Sequence, residues 1–309
     1  MHPAFSVIFF TVASGTGFGL FVLLYMADLF RLGGGLPAHA SALTGLLAVA
    51  LVGGGLLSST FHLANPKNAW RAFTRWRTSW LAREGVFAVA FFPFALAYIA
   101  LAWFDAARDV RLMLGFFACV LAWATLFSTG MIYACLKTIR QWNTPLVPAA
   151  YLVLGHFSGA MLLLVVTLAV GASSTAYESL VMALLLAAAV LKATYYFWVG
   201  RPYGSTINTA TGFTRARVRL LDTGHTHDTF LTREFGFRVG SAQRFWLKAA
   251  FFLFAVAVPA AMLTQGQALS LGAGLGAAVS AILGMGVERW LFFAEARHVV
   301  NLFHGAQRT

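Results

Sequence analysis

The sequence predicts an all-α integral membrane protein, an eight-transmembrane-helix bundle with both termini cytoplasmic, and three observations support this. Of the 309 residues 60% are apolar and only 10% charged, with a mean hydropathy of +0.76, which excludes an ordinary soluble domain. Eight stretches are long and apolar enough to cross hydrocarbon, which takes about 20 residues because every backbone N–H and C=O must be satisfied within the segment. Lys and Arg number 22 against 10 Asp and Glu, and all but four of these cations fall on one side of the spans.

The first span, Phe5 to Leu29, begins almost at Met1 with no cationic n-region before it, so no cleaved leader is expected. Its Gly15 and Gly19 suit close helix approach, as does the run Gly53 to Gly55 in the second span, His39 to Phe61. A basic, aromatic segment leads to the third span, Gly85 to Phe104. The fourth, Arg111 to Leu136, and the fifth, Leu146 to Gly171, are joined by a turn carrying Lys137 and Arg140. The turn 171–176 holds no Lys or Arg and opens the sixth span, Tyr177 to Val199. A second long basic segment precedes the seventh, Trp246 to Thr264, and the turn 265–267 leads to the eighth, Ala268 to Ala294. No stretch alternates strictly as a barrel strand would. An even number of spans returns both termini to one side, and Lys and Arg are retained in the cytoplasm, so that side is cytoplasmic. Only Arg31, Arg108 and Arg111 lie opposite, with Lys192 inside a span. Residues 1–309 read as a single transmembrane anchor domain with cytoplasmic loops 63–84 and 200–245.

The net charge of +12 would suit nucleic acid, but the cations sit between apolar spans, so none is expected as a partner. Membrane lipid is expected instead, because basic, aromatic segments at a boundary meet anionic headgroups. Cys119 and Cys135 are too few for a disulfide framework or a metal site, and no metal is predicted. GAGLGAAVS resembles a dinucleotide motif only as text, since no strand precedes it.

Three groups of residues could carry chemistry. In FHLANPKNAWRAFTRWRTSWLARE, His62 and Glu84 bracket Trp70, Trp76, Trp80 and Arg71, Arg75, Arg77, Arg83. The Trp and Arg residues suit interfacial anchoring. His62 and Glu84 at helix ends are either a cap and an ion-paired carboxylate or a proton-exchanging pair suited to a quinone head group. Arg77, Trp80 and Tyr195, by their membrane level, are pocket walls in the second case. Lys192 and Glu288 have opposite charge at similar depth in spans six and eight, which predicts an intramembrane ion pair, structural or part of a proton path. His62 and His156 differ too much in depth to share a haem, and none is predicted.

The opening MHPAFSVIFFTVASGTGFG, the segment FHLANPKNAWRAFTRWRTSWLARE, LKATYYFWVG and TATGFTRARVRLLDTGHTHDTFLTREFGF resemble the membrane-anchor family of molybdenum oxidoreductases. That family serves bacterial dimethyl sulfoxide reductase and cytoplasmic sulfite:quinone dehydrogenase, and the opening is more similar to the sulfite dehydrogenase branch. The resemblance implies an eight-helix anchor of the bacterial inner membrane with no prosthetic group of its own. It implies an iron–sulfur subunit and a molybdopterin catalytic subunit as partners, and ubiquinone or menaquinone as the redox partner in the membrane. The family's quinone-site histidine and glutamate fall on His62 and Glu84. Where the family follows this histidine with Leu-Gly-Arg/Lys-Pro, this chain has Leu63, Ala64, Asn65 and Pro66. The basic face, with Arg71, Arg75, Arg215, Arg217, Arg219, His225 and His227, is expected to dock the iron–sulfur subunit. The function expected is a quinone-binding anchor of a sulfite dehydrogenase; the alternatives are the anchor of a quinol-oxidising dimethyl sulfoxide reductase and, from another class, a secondary transporter, for which no inverted repeat is visible.

Overall fold

The computed structural model describes residues 3–61, 65–201, 204–222, 224, 226–227, 229–264 and 268–309, with the backbone alone at Pro66 and Ala72. His62 and His225 therefore lie outside the described residues. Six long helices come first: α1 (Phe5–Phe30), α2 (Ala38–Thr60), α3 (Trp80–Trp103), α4 (Arg108–Ala134), α5 (Leu146–Ala169) and α6 (Thr175–Gly200). Two short helices follow, α7 (Ile207–Thr211) and α8 (Phe230–Phe235), then α9 (Ser241–Phe251), a π-helical turn (Phe252–Ala257), α10 (Val258–Leu263) and α11 (Leu271–Ala294). Among the described residues, with α9 to α10 taken as one span, eight helices are long and apolar enough to cross a membrane.

α1 is the central post. It is the most buried span, with 72% of its apolar window inside the protein, and α2, α4, α5 and α11 pack on it. Its crossing with α5 is built from small residues. A Cβ on Gly159 would lie 2.5 Å from the carbonyl carbon of Gly19, and one on Gly155 would lie 2.9 Å from the Gly15 oxygen. Thr16 donates a hydrogen bond to Ser158 at 2.8 Å through the same interface. On the opposite face a Cβ on Gly17 would meet the Ala48 oxygen of α2 at 2.6 Å. In the run Gly53 to Gly55 the roles differ: Gly55 abuts Ser14 of α1, whereas Gly54 faces open space.

Two helix starts differ from the sequence expectation. α3 begins at Trp80 rather than Gly85, because Ser79 is extended and its side chain caps the Ala82 N–H. The seventh span begins at Ser241 and passes through the π turn before Pro259. Proline has no N–H for the preceding turn, and a π bulge absorbs that loss. Ser280 of α11 donates to the Phe254 carbonyl at 2.8 Å, which satisfies one of the loosened groups.

Among the described residues of segment 200–245, two short helices form. α7 and α8 each start with a capping box, Thr206 with Thr209 and Thr229 with Thr232. Residues 295–309 close over it: Ile207 donates to Gln307 at 3.1 Å, Thr309 to Ser205 at 3.0 Å, and the Asn301 amide to Phe235 at 2.9 Å. A short 3-10 helix, Val299–His304, starts with Val300 N–H donating to His298 Nδ1 at 3.0 Å.

Two tests follow from this packing. Gly159→Leu should prevent accumulation of the folded chain, since overpacking against a rigid backbone costs about 1–3 kcal/mol or more, while Gly54→Ala should accumulate normally; membrane yield by fluorescence-detected chromatography measures both. Burial lowers the proton affinity of His298 below that of an ordinary histidine. Its acceptor role is therefore fully present above about pH 6.5 and is lost as pH falls through the folded value. Hydrogen exchange at Val300 should accelerate on acidification, and His298→Asn, which keeps a cap acceptor without titrating, should remove that dependence.

Candidate functional site

The end of the bundle that carries the long segments also gathers polar groups within the spans. Ile8 of α1, Tyr151 of α5, Tyr195 of α6 and Phe292 of α11 form one buried cluster with Ile139 and Trp142, and Tyr133 of α4 packs against it, so the start of α1 and the end of α11 lie together. Glu84, in the second turn of α3, is 5% exposed and faces α4, where Thr129 donates to its Oε1 at 2.5 Å. It is therefore buried among the helices and, with α3 starting at Trp80, one turn inside that helix rather than just ahead of it. Its Oε2 accepts no hydrogen bond from the described residues.

One turn beyond Thr129 on the same face of α4 is Tyr133. Its ring stacks on Tyr151 of α5, with centroids 5.9 Å apart and planes at 11°. The guanidinium of Arg289 lies 4.0 Å from the Tyr151 ring, and its Nε pairs with Glu288 Oε2 at 2.9 Å. Lys192 of α6 reaches the other oxygen of Glu288 at 2.5 Å. Lys192 also sits over the rings of Tyr195 and Tyr196, at 4.0 and 4.6 Å. Toward the outside Lys248 of α9 pairs with Glu295 at 2.7 Å. A belt of polar side chains thus crosses α3, α4, α5, α11 and α6 at one level.

Lys192 and Glu288 meet, but with a third ion. Arg289, one of the cations counted on the side of the termini, is 2% exposed inside the protein. Two cations and one carboxylate are buried together, and aromatic faces take up part of the excess positive charge. Arg111, expected on the opposite side, is also buried, paired with Asp28 at 3.0 Å and Asp105 at 3.3 Å, while Tyr98 donates to Asp28 at 2.9 Å.

The other site residues divide. Trp80 is half-buried, edge-on to Phe127 of α4 with centroids 5.8 Å apart, and the Arg83 guanidinium lies 4.2 Å from its ring centroid. Arg83 also donates to the carbonyls of Trp76 at 3.0 Å and Arg77 at 2.7 Å, clamping the approach to α3. The Arg77 side chain is exposed and lies over Trp76. Tyr195 does not join them: it donates to the Gln141 carbonyl at 3.1 Å and belongs to the Lys192 group, because α6 packs on α5 and not on α3. Membrane level had suggested the grouping, but level does not say which helices adjoin. Arg71, Arg75, Arg215, Arg217, Arg219 and His227 are exposed. His156 is engaged at both ring nitrogens, by Trp123 Nε1 at 2.9 Å and the Leu152 carbonyl at 2.7 Å. Among the described residues no three His, Cys, Asp or Glu side chains converge as metal ligands.

A recess of about 560 Å³ opens between α4 and α5 at this end, lined by Phe127, Met131, Ala134, Pro148 and Leu152 with Asn143 at its rim. Thr129, Tyr133, Tyr151 and Arg289 are the residues sequence reading missed. Arg289 directly after Glu288 in an apolar span was the available signal, since an uncompensated cation there is costly.

If the ions act as a unit, removing the single carboxylate leaves two buried cations facing each other, at a cost of about 3–5 kcal/mol. Glu288→Gln should therefore reduce the assembled chain in membranes more than Lys192→Met, which leaves Glu288 paired with Arg289. Immunoblot of membrane fractions measures this, and normal turnover per assembled chain would assign the group to the fold rather than to proton movement.

A model of the family described as DMSO reductase anchor subunit (DmsC) matches residues 1–295. The chain is also 33% identical to a subunit of sulfite dehydrogenase from Allochromatium vinosum, over 98% of this chain and 99% of that protein. With eight apolar spans and a match along nearly its whole length, the chain belongs to the DMSO reductase anchor subunit family.

Proposed function

We propose that this chain is the membrane-anchor and quinone-reactive subunit of a three-subunit molybdenum oxidoreductase. In this reading it passes electrons from an iron–sulfur subunit to membrane quinone, with sulfite oxidised at a molybdopterin partner. The observation that carries it is the Glu84 carboxyl, held inside the apolar bundle by one hydroxyl and with its second oxygen free of hydrogen bonds from the described residues. Quinone reduction takes up two electrons and two protons, so the site needs proton donors beside the head group. Glu84 is one, and His62, in the segment joining α2 to α3, is the other. Trp80 flanks the head group, Arg77 borders the water side, and the recess beside Phe127 and Met131 admits the isoprenoid tail.

The exposed Arg71, Arg75, Arg215, Arg217 and Arg219 favour an acidic face of the iron–sulfur subunit on this same end. That arrangement keeps the electron donor close to the quinone, and retention of Lys and Arg in the cytoplasm puts this end on the cytoplasmic side of a bacterial inner membrane. Sulfite as donor rests on the similarity to the sulfite dehydrogenase protein of Allochromatium vinosum. The family description favours a second reading, in which quinol is oxidised and a sulfoxide reduced.

In the assembled complex Glu84→Gln should lower quinone-linked sulfite oxidation by about 10²-fold or more while dye-linked sulfite oxidation stays at the parent level. Thr129→Val should have a smaller effect of the same kind. Unchanged quinone turnover in Glu84→Gln would remove Glu84 from the site, and quinol-driven turnover of dimethyl sulfoxide without sulfite oxidation would favour the second reading.

A further inference from the structure

Where the end of α6, the turn after α4, α9 and residues 295–309 meet, a cavity of about 390 Å³ is lined by Arg140, Arg201, Arg244, Lys248, Arg297 and Arg308, with Glu295 as the acidic side chain among them. Two of the cations are already used. Arg140 donates to the carbonyls of Arg201 at 3.0 Å and Trp198 at 3.3 Å, the second of which also accepts from the Arg201 N–H that closes α6. Lys248 holds Glu295 at 2.7 Å. Among the described residues the guanidinium groups of Arg244, Arg297 and Arg308 have no hydrogen-bond or ion-pair partner. Burial, together with the charges of Arg244, Arg238 and Arg308, lowers the proton affinity of half-buried Arg297. Like charges gathered in a partly closed cavity are costly unless an anion joins them, and planar guanidinium groups match the oxygens of a phosphate.

The surroundings indicate which phosphate. The sixth and seventh spans, which border the cavity, are the least buried of the eight, with 28% and 17% of their apolar windows inside the protein. Phe197 of α6 is exposed at its rim, with the Arg201 guanidinium 4.5 Å from its ring centroid, and Phe245 and Trp246 are exposed on the other faces of α9. Contact between α6 and the seventh span is concentrated at the π turn and α10. Exposed apolar surface of this kind suits acyl chains rather than a free oxyanion.

We propose that this cavity is a specific site for an anionic phospholipid, with its phosphate held by Arg244, Arg297 and Arg308 and its acyl chains along α6 and the seventh span. The site is separate from the Glu84 region and does not depend on the quinone reading. A net cationic cavity favours a headgroup with no compensating amine, so phosphatidylglycerol should be preferred over phosphatidylcholine. Binding would tie α9 and residues 295–309 to the end of α6.

The test uses the purified full-length chain, delipidated in detergent, with binding followed by native mass spectrometry and thermal unfolding. Phosphatidylglycerol should be retained and raise the unfolding temperature, and phosphatidylcholine should do so much less. Arg244→Gln with Arg297→Gln should weaken retention about tenfold or more, the loss expected for charge-assisted hydrogen bonds. Lys137→Gln with Arg233→Gln, an equal charge loss at exposed positions, should change it less than about twofold. Circular dichroism on each variant separates a binding defect from misfolding. Equal binding of the two lipids, or undiminished retention in the Arg244/Arg297 variant, would overturn the proposal. Inorganic phosphate stabilising the chain as well as phosphatidylglycerol would replace the lipid by a free oxyanion. Protection of these arginines from phenylglyoxal by partner subunits in a lipid-free complex would assign the cavity to a protein contact.

Discussion

Everything else in this bundle is arranged around the contact between α1 and α5. Gly19 on one helix and Gly155 and Gly159 on the other bring the backbones to a distance at which an added Cβ would collide with backbone atoms, and Gly15 lies in ordinary contact with Gly155. In hydrocarbon, helices gain little from burying apolar surface, because lipid tails are as apolar as leucine; close van der Waals packing and interhelical hydrogen bonds do the work instead. Thr16 and Ser158 supply such a bond within the crossing. With these two helices in contact, α1 is surrounded by α2, α4 and α11, and the inward ends of five helices are brought to one level.

That level holds the polar belt. A carboxylate shared by Lys192 and Arg289 would be expensive if any one partner were missing, yet together they satisfy one another and lean on Tyr151, Tyr195 and Tyr196. Glu84 differs in kind. Its partner is a neutral hydroxyl, no cation among the described residues pairs with it, and it lies on the far side of Tyr133 from the ions. Glu288, by contrast, lies between two cations that tie α6 and α11 together. The two buried carboxyls are therefore told apart by what each touches, a hydroxyl for Glu84 and two cations for Glu288.

The opposite end is built for closure. Asp28, Tyr98, Asp105 and Arg111 knit α1, α3 and α4 together next to short connections, and Arg31, Asp105 and Ala107 adopt left-handed backbone conformations in those tight turns. All of the long segments, the capping boxes of α7 and α8 and the covering strap 295–309 are at the other end. The two faces of the protein thus differ in construction as well as in charge.

Composition and the length of apolar runs were enough to determine eight spans and the asymmetry of the cations, because the demand that backbone groups be satisfied in lipid acts locally along each segment. They also exposed Lys192 and Glu288, since an ion in an apolar run is conspicuous whatever the fold. Helix starts were less legible: Ser79 as a cap and the π turn ahead of Pro259 depend on geometry a hydropathy profile does not register. Only the tertiary structure decided that Arg289 is the third ion, that Tyr195 sits with Lys192 and not with Trp80, that Thr129 holds Glu84, and that residues 295–309 complete a cationic cavity. The reason is physical: depth in the membrane can be counted along one helix, but neighbours across helices are set by which faces pack, and here that follows from the close approach of a few glycines.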